Sequence, residues 1–433
     1  MGIEAKRPMK RRGICSCPMT GVWRAVSYVK GVAVIFHGPR ACAHIAHRMD
    51  TAALFREMAR VPGAERKESV PLISSDLGEE EAVFGGAEKL RRAIRYAAQN
   101  YRPEVIVIAN SCVAGVIGDD SEAAALEMEE ELGLPIINIP IYGFIDGEYF
   151  DGYLAASRRL ADLYMKKTPR KEKTALLVGD CGGPQGVYVN EVKRMLDYFS
   201  IKISAQFPSF LTLDEVREAP SASMIIVLGW TVRSERQRQI AELARFIGEK
   251  FDIPVIDGVY PAGFDNTLQW LEKLGDVLGM REEAARAIKE EESKFNEALM
   301  KYSPQLTGKR VVYCVGTLAP YVHPEPMLDV LHRLGMKLLG VSVLENYMPK
   351  DREAVIARVK DATDVKIFSA AESETAMREA DLVLTTNELA APDIRQVYLA
   401  LISRAGWTGE ADLARAMARA LARNLGRGGL VYA

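Results

Sequence analysis

The stretch ICSCPMTGVWRAVSYVKGVAVIFHGPRACAHIAHR, Ile14 to Arg48, packs cysteines, histidines and a Gly-Pro turn around one apolar run. Cys17 is followed at once by Pro18, which sets the local backbone and removes a donor, so the thiol belongs on a loop and not inside a helix. A helix-like run, Val22 to Val29, and a run of strand type, Gly31 to Phe36, come next. The turn HGPRAC then delivers Cys42 to the start of another helix, where unpaired backbone N–H groups favour a thiolate. A third cysteine, Cys112, closes another strand of the same kind much further on.

The same design recurs outward from this stretch. An apolar β-rich run, a Gly/Pro turn and an amphipathic helix are found at Val32 to Phe36 before HGPRAC, at Thr174 to Val178 before GDCGGPQG, and at Val311 to Val315 before GTLAPYVHPEP. Further apolar runs alternate with helical segments: VPLISSD from Val70, EVIVIAN from Glu104, LPIINIPIYGF from Leu134, SMIIVLGW from Ser223, RLGMKLLGVSVL from Arg333 and ADLVLTTN from Ala380. Continuous apolar strands alternating with helices imply an α/β fold of mainly parallel sheets covered on both faces, with ligands gathered at the carboxyl ends of the strands. The polar segment MKKTPRKEK, Met165 to Lys173, marks a boundary, and the Glu/Lys-rich segment Glu282 to Lys301 reads as a helical connector. The expected units are residues 1–168, which carry the cysteines, 169–305 with the connector, and 306–433 ending in a helix.

Composition narrows the partners. The 433 residues, 48% of them hydrophobic, allow several ordinary globular domains. A net charge of -2 provides no global field toward nucleic acid or a membrane surface. The longest apolar segments, Val105 to Gly118 and Pro135 to Ile145, are too short and too polar to span a bilayer. The basic N-terminus lacks an apolar segment of the secretory kind, so a cytoplasmic protein is expected, with neither nucleic acid nor membrane as partner. Six cysteines in such a chain suggest metal or cluster ligation rather than disulfides.

At this point the residues resemble a known family. Cys17-Pro18 followed by HGPRAC, the segment DLGEEEAVFGGAEKL, the motif SCVAGVIGDD, and the openings GDCGGPQGVYVNEVKRML and GKRVVYCVGTLAP together are similar to the nitrogenase component 1 superfamily. That superfamily includes nitrogenase catalytic subunits, cofactor-assembly scaffolds and tetrapyrrole reductases. The resemblance implies three Rossmann-like domains. It also implies that Cys17, Cys42 and Cys112 hold an iron–sulfur cluster, either [4Fe–4S] or a larger P-cluster-like one, near a subunit interface. Three cysteines leave a four-site cluster one ligand short, and Cys15, a partner residue or Asp119 are the candidates. A homodimer or a heterodimer with a paralogous component 1 subunit follows, as does an ATP-hydrolysing iron-protein-like reductase as electron donor. The chain has no GxxxxGK[ST] loop of its own.

The chain departs from nitrogenase where that enzyme anchors its catalytic metallocofactor. The corresponding stretches read VLGWTV around Trp230 and AGWTGEAD around Trp407, without the cysteine or histidine expected there. Dinitrogen reduction is therefore not expected. Three functions remain: a nitrogenase-like oxidoreductase acting on another substrate or a second cofactor, a metallocluster assembly scaffold without turnover, and a Rossmann-type binding protein or transferase whose cysteines are incidental small apolar residues. Among the other candidates, Cys181 in its glycine-rich turn reads as packing or ligand, and Cys314 as core. His37 reads as a group near the cluster or a hydrogen-bonded turn residue, His44 and His47 as a solvated or proton-relay pair, and His323 as a loop residue.

Overall fold

Six consecutive buried residues make β1 (Val32–His37), and six more make β3 (Val105–Asn110). In this computed structural model the described residues are 17–58, 61, 68–230, 235–316, 324–344, 349–391, 393–399, 404–423 and 431–432. The two strands pair in parallel from Val32 opposite Val105 to His37 opposite Asn110. With β2 (Leu72–Ser74) and β4 (Ile136–Tyr142) they form a parallel sheet of order β2-β1-β3-β4. Ile35, Ile106 and Ile108 pack against Leu90 and Ile94 of the helix Ala87–Tyr101 and Met128 of the helix Ser121–Leu132. Burying each such side chain contributes about 1.5–3 kcal/mol, which commits these strands to the interior.

Strand order explains where function collects. The chain leaves β1 for β2 on one side and returns to β3 on the other, so the carboxyl ends of β1 and β3 flank a topological switch point. HGPRAC follows β1 and SCVAGV follows β3. A second parallel sheet repeats the plan with β5 (Lys171–Val178), β6 (Lys202–Phe207), β7 (Ala222–Val227) and β8 (Val255–Ile256) in the order β6-β5-β7-β8. Its switch point lies between the glycine-rich turn after β5 and the turn LGW after β7. Both sheets belong to one compact unit, which runs through Lys193 and resumes from Ser200 to Gly258.

The other unit comprises Arg194–Phe199 and the chain from Val259. It holds a third parallel sheet, order β11-β10-β9-β12-β13-β14, made of β9 (Arg310–Val315), β10 (Lys337–Val343), β11 (Ile367–Phe368), β12 (Leu382–Thr385), β13 (Gln396–Tyr398) and β14 (Val431–Tyr432). The chain is thus an α/β protein of parallel sheets flanked by helices, as the apolar runs imply. Cys314 in β9 is fully buried, a core residue. The expected connector is one helix, Arg281–Leu306, longer at its carboxyl end than the Glu/Lys pattern suggests because Tyr302 and Leu306 add apolar contacts. No helix among the described residues is long and apolar enough to cross a membrane.

Two carboxylates of this unit are buried with opposite outcomes. Glu291, on the Arg281–Leu306 helix, has a fully buried side chain that accepts two bonds of 2.7 Å from Arg194, one of 2.6 Å from Tyr198 and one of 2.8 Å from the Trp407 indole. Burial pushes its pKa up, but these donors outweigh burial and hold it below the usual carboxylate range. Glu410 has one hydrogen bond, from the Phe264 N–H at 3.1 Å, and its Oε1 has no partner. Burial, reinforced by Asp329, pushes its carboxyl well above the usual range against the opposing Phe264 N–H and Arg333. Glu410 therefore keeps its proton in the folded protein. Because the folded state binds that proton more tightly than the unfolded chain does, stability falls as pH rises above the ordinary carboxylate pKa, by up to about 1.4 kcal/mol per pH unit. Glu410→Gln is expected to be more stable than the parent at pH 8, with the difference vanishing near pH 4. Denaturant midpoints across that range check it.

Candidate metal centre

Each expected cluster cysteine stands at the beginning of a helix. Cys17 is the N-cap of the helix Pro18–Val26, with Pro18 in the first turn, where a missing N–H costs nothing. This helix begins four residues before the apolar pattern suggests. Proline does keep Cys17 outside it, as expected, while itself forming the first helical residue. The Cys17 carbonyl accepts from the Thr20 N–H at 3.1 Å and the Thr20 hydroxyl at 2.6 Å, which fixes the backbone at this cysteine. Cys42 lies in the first turn of the helix Arg40–Met58, its N–H bonded to the Pro39 carbonyl. Cys112 opens the helix Cys112–Ile117, behind Ser111, whose hydroxyl caps the Ala114 N–H.

The backbone leaves little room for these helices to move. A Cβ on Gly21 would lie 1.8 Å from the Tyr149 carbonyl oxygen, and one on Gly152 would lie 2.1 Å from that of Pro18. The Cys17 helix therefore touches the helix Tyr149–Tyr164 backbone to backbone. Gly143, at φ 56°, similarly lets the chain pass Cys112, since a Cβ there would be 2.5 Å from the Cys112 nitrogen.

The three thiols sense one another. Burial pushes Cys17 up to about 11, and the neighbouring Cys42 and Cys112 sulfurs push in the same direction. Burial likewise raises Cys42, with Cys112 adding to it. At Cys17 and Cys42 desolvation and the neighbouring sulfurs thus outweigh the helix termini. The set calls for a positively charged, soft acceptor, which is the role of iron in an iron–sulfur cluster. Among the described residues no three His, Cys, Asp or Glu side chains converge as a single metal ion requires. All three cysteines are partly accessible. Cys15 and His323 lie outside the described residues.

Behind the cradle, His37 is fully buried and both ring nitrogens are occupied. The Ser75 hydroxyl accepts from the Gly38 N–H at 3.1 Å, which leaves its own proton for His37 Nδ1 at 3.0 Å. His37 Nε2 then carries the ring proton and donates to Asp119 at 3.0 Å. Asp119 also accepts the Gly86 N–H, at 2.7 and 2.9 Å. Asp119 is therefore committed to holding the loops after β1 and before the Ala87 helix, and it is not free to complete a cluster. Of the two readings of His37, the structure has the hydrogen-bonded turn residue. His44 and His47 lie on the exposed side of their helix, with the His47 ring 6.4 Å from that of Trp23. Cys181 is buried at φ 42°, and burial, aided by Asp180, drives its thiol well above the usual range.

The stretches around Trp230 and Trp407, expected from the sequence to stand where nitrogenase anchors its cofactor, carry packed aromatics. Trp230 meets Tyr188 edge-on at 5.1 Å, and the Tyr188 hydroxyl bonds to the Gly229 carbonyl. In the other unit, the Trp407 indole is held by Glu291.

Parallel sheets with cysteines at a switch point define a Rossmann-like α/β protein with a thiol-lined site. The sequence pattern of the nitrogenase component 1 type oxidoreductases matches residues 17–422, and the chain belongs to that family. It is 32% identical over 248 residues to the nitrogenase iron-molybdenum cofactor biosynthesis protein NifE of Clostridium pasteurianum, covering 56% of this chain and 52% of that protein. The chain thus spans about half the length of that curated relative. It is 26% identical to NifE of Sinorhizobium fredii over 81% of this chain and 68% of that one. The nitrogenase molybdenum-iron protein alpha chain of Methanothermobacter marburgensis is 25% identical over 82% of this chain and 73% of its own length. A solved structure of nitrogenase Cp1 at pH 6.5 shares the fold, with a TM-score of 0.65 and 18% identity over 96% of this chain and 91% of that one.

The His37 network has a measurable signature. Burial lowers the imidazole below its ordinary 6.5 despite Asp119, so the folded protein takes up this proton less readily than the unfolded chain. Stability is then complete above pH 6.5 and declines as pH falls toward the folded value. His37→Gln is expected to flatten the stability profile between pH 7 and 5. Asp119→Ala, which strands the Gly86 N–H and the His37 ring proton, is expected to cost about 2–4 kcal/mol at pH 7. Urea titrations at several pH values check both.

Proposed function

We propose that this chain is a component 1 type subunit that holds an iron–sulfur cluster on Cys17, Cys42 and Cys112. It receives electrons from a separate ATP-hydrolysing iron–sulfur partner and delivers them to a substrate or second cofactor other than dinitrogen. What supports this reading is the placement of three cysteines at the starts of three helices of one parallel-sheet unit, with Cys42 and Cys112 near enough to Cys17 to add to the rise that burial gives its pKa. A cluster bound there would supply one-electron redox chemistry. The chain's own part is to hold that group through three thiolates and fix the loops by the Ser75–His37–Asp119–Gly86 network. Trp230 and Trp407, engaged in packing and hydrogen bonding, support a substrate other than dinitrogen.

A second subunit completes the site in this reading. Phe84 is 83% exposed and Val116 78%, and the Glu81–Phe84 helix lies against the Cys112–Ile117 helix. Val83, Phe144 and Ile145 are also exposed. Apolar residues gathered at the edge of a cysteine cradle favour a protein partner over water. That partner is a second copy or a paralogous component 1 subunit, and either it or Cys15 supplies the remaining ligand.

A scaffold that builds a metallocluster and passes it on is the second reading. It is favoured by the relatives named as iron-molybdenum cofactor biosynthesis proteins. Anaerobic reconstitution separates these readings from incidental cysteines. The expected product is brown and carries about four iron and four sulfide per cluster. Cys17→Ala, Cys42→Ala and Cys112→Ala are each expected to lose most of the iron and to alter the electron paramagnetic resonance spectrum of the reduced protein. A colourless, iron-free parent protein would overturn both cluster readings. Transfer of the cluster to an apo-acceptor without reductive turnover would favour the scaffold.

A further inference from the structure

Arg24 lies on the Cys17 helix, its side chain only 12% exposed, and it grips two carboxylates from distant parts of the chain. Its Nε and Nη2 donate to the two oxygens of Asp180 at 2.6 and 2.8 Å. Its Nη1 donates to Asp50 at 2.9 Å. Asp50 lies on the helix that carries Cys42, and Asp180 immediately precedes Cys181 in the glycine-rich turn after β5. One planar guanidinium therefore joins the Cys17 helix, the Cys42 helix and the second sheet's switch-point turn. A lysine, a single point charge, cannot reproduce that three-way fork.

The Asp50 carboxylate is held from its far side as well, and the backbone of the Asp180 turn has its own donor. The Tyr28 hydroxyl donates to the other Asp50 oxygen at 2.8 Å. The Tyr28 ring stacks on Phe210 at 4.6 Å, and the Arg24 guanidinium lies 5.7 and 5.4 Å from the two ring centres. Phe210 in turn abuts Gly183, where a Cβ would come within 2.6 Å of its ring. Gln206 donates to the Gly179 and Asp180 carbonyls at 2.8 and 2.6 Å. Within the turn so gripped, Gly179, Gly182 and Gly183 take positive φ at no steric cost, but Cys181, at φ 42°, does so against its own Cβ. Such a backbone persists only where its surroundings enforce it.

We propose that Arg24 is a positioning residue that sets the separation of Cys17 and Cys42 and couples it to the conformation of the glycine-rich turn 179–186. The relevance to a cluster rests on the function proposed above, whereas the coupling itself is a property of the apo-protein. Displacing Asp180 pulls on Arg24, and Arg24 reaches both cysteine-bearing helices.

The test uses the full chain in a Cys15→Ala, Cys112→Ala background, which leaves Cys17 and Cys42 as the accessible pair among the described cysteines. Their cross-linking by dibromobimane reports the cradle, and alkylation of buried Cys181 by iodoacetamide reports the turn. Arg24→Met is expected to slow cross-linking at least tenfold and to speed Cys181 alkylation at least tenfold. Asp180→Asn, which changes only the turn, is expected to slow cross-linking about threefold. Should Arg24→Met fail to fold, Arg24→Lys and Asp180→Asn carry the same comparison. Arg170→Met, which breaks a different tie, from Arg170 to the Ala222 and Phe251 carbonyls, is the control for general loosening. Folded Arg24 and Asp180 variants within twofold of the parent in both assays, or an Arg170→Met effect of equal size, would overturn the coupling. A parent chain that takes up no iron would sink the cluster reading and leave this result legible. In protein that does take up iron, Arg24→Lys is further expected to shift the cluster's midpoint potential.

Discussion

Parallel strands such as β1 and β3, buried along their whole length on both faces, have nowhere to display a reactive group except where they end. That restriction organises the molecule. Every side chain of β1 is committed to the interior, so any reactive group is displaced to the turn beyond it. Because β1 and β3 flank a switch point, the two turns open into the same crevice and bring Cys42 and Cys112 from positions 70 residues apart. Cys17 arrives by another route, at the tip of a helix pinned against the Tyr149 helix. The three cysteines depend on both devices, since the turns of the sheet place only two of them.

The legibility of these features in the sequence follows the range of the interactions that make them. The strands were readable because burial on both faces writes continuous apolar runs, as in VAVIFH and VIVIAN. The thiols were readable as candidates because proline and glycine mark the turns that hold them. The buried polar links were not, because their partners lie far apart in the chain. His37 and Asp119 are separated by 82 residues, Arg194 and Glu291 by 97, and Arg24 and Asp180 by 156. No local pattern announces such pairs. The proton affinity of Cys42 is hidden for the same reason: a helix terminus that favours its thiolate is visible in sequence, but the burial and the Cys112 sulfur that outweigh it come from tertiary packing.

The buried ionisable groups follow one rule. Glu291 stays charged because four hydrogen bonds replace its water, and Arg24 stays charged between two carboxylates. Glu410, given a single donor, keeps its proton instead. His37 is neutral yet fully bonded, its two nitrogens sorted into donor and acceptor by Asp119 and Ser75. Charge inside this protein is thus decided by the number of partners within reach.

The contact through Gly21 and Gly152 has a consequence of another kind. Most helix pairs meet through side chains that can rotate or exchange volume, so their spacing is adjustable. Here main chain rests on main chain, and there is no soft layer to absorb a change. The position of Cys17 is consequently a property of the backbone itself. A lone methyl group, about the least that any substitution can add, would act there as a wedge between two helices.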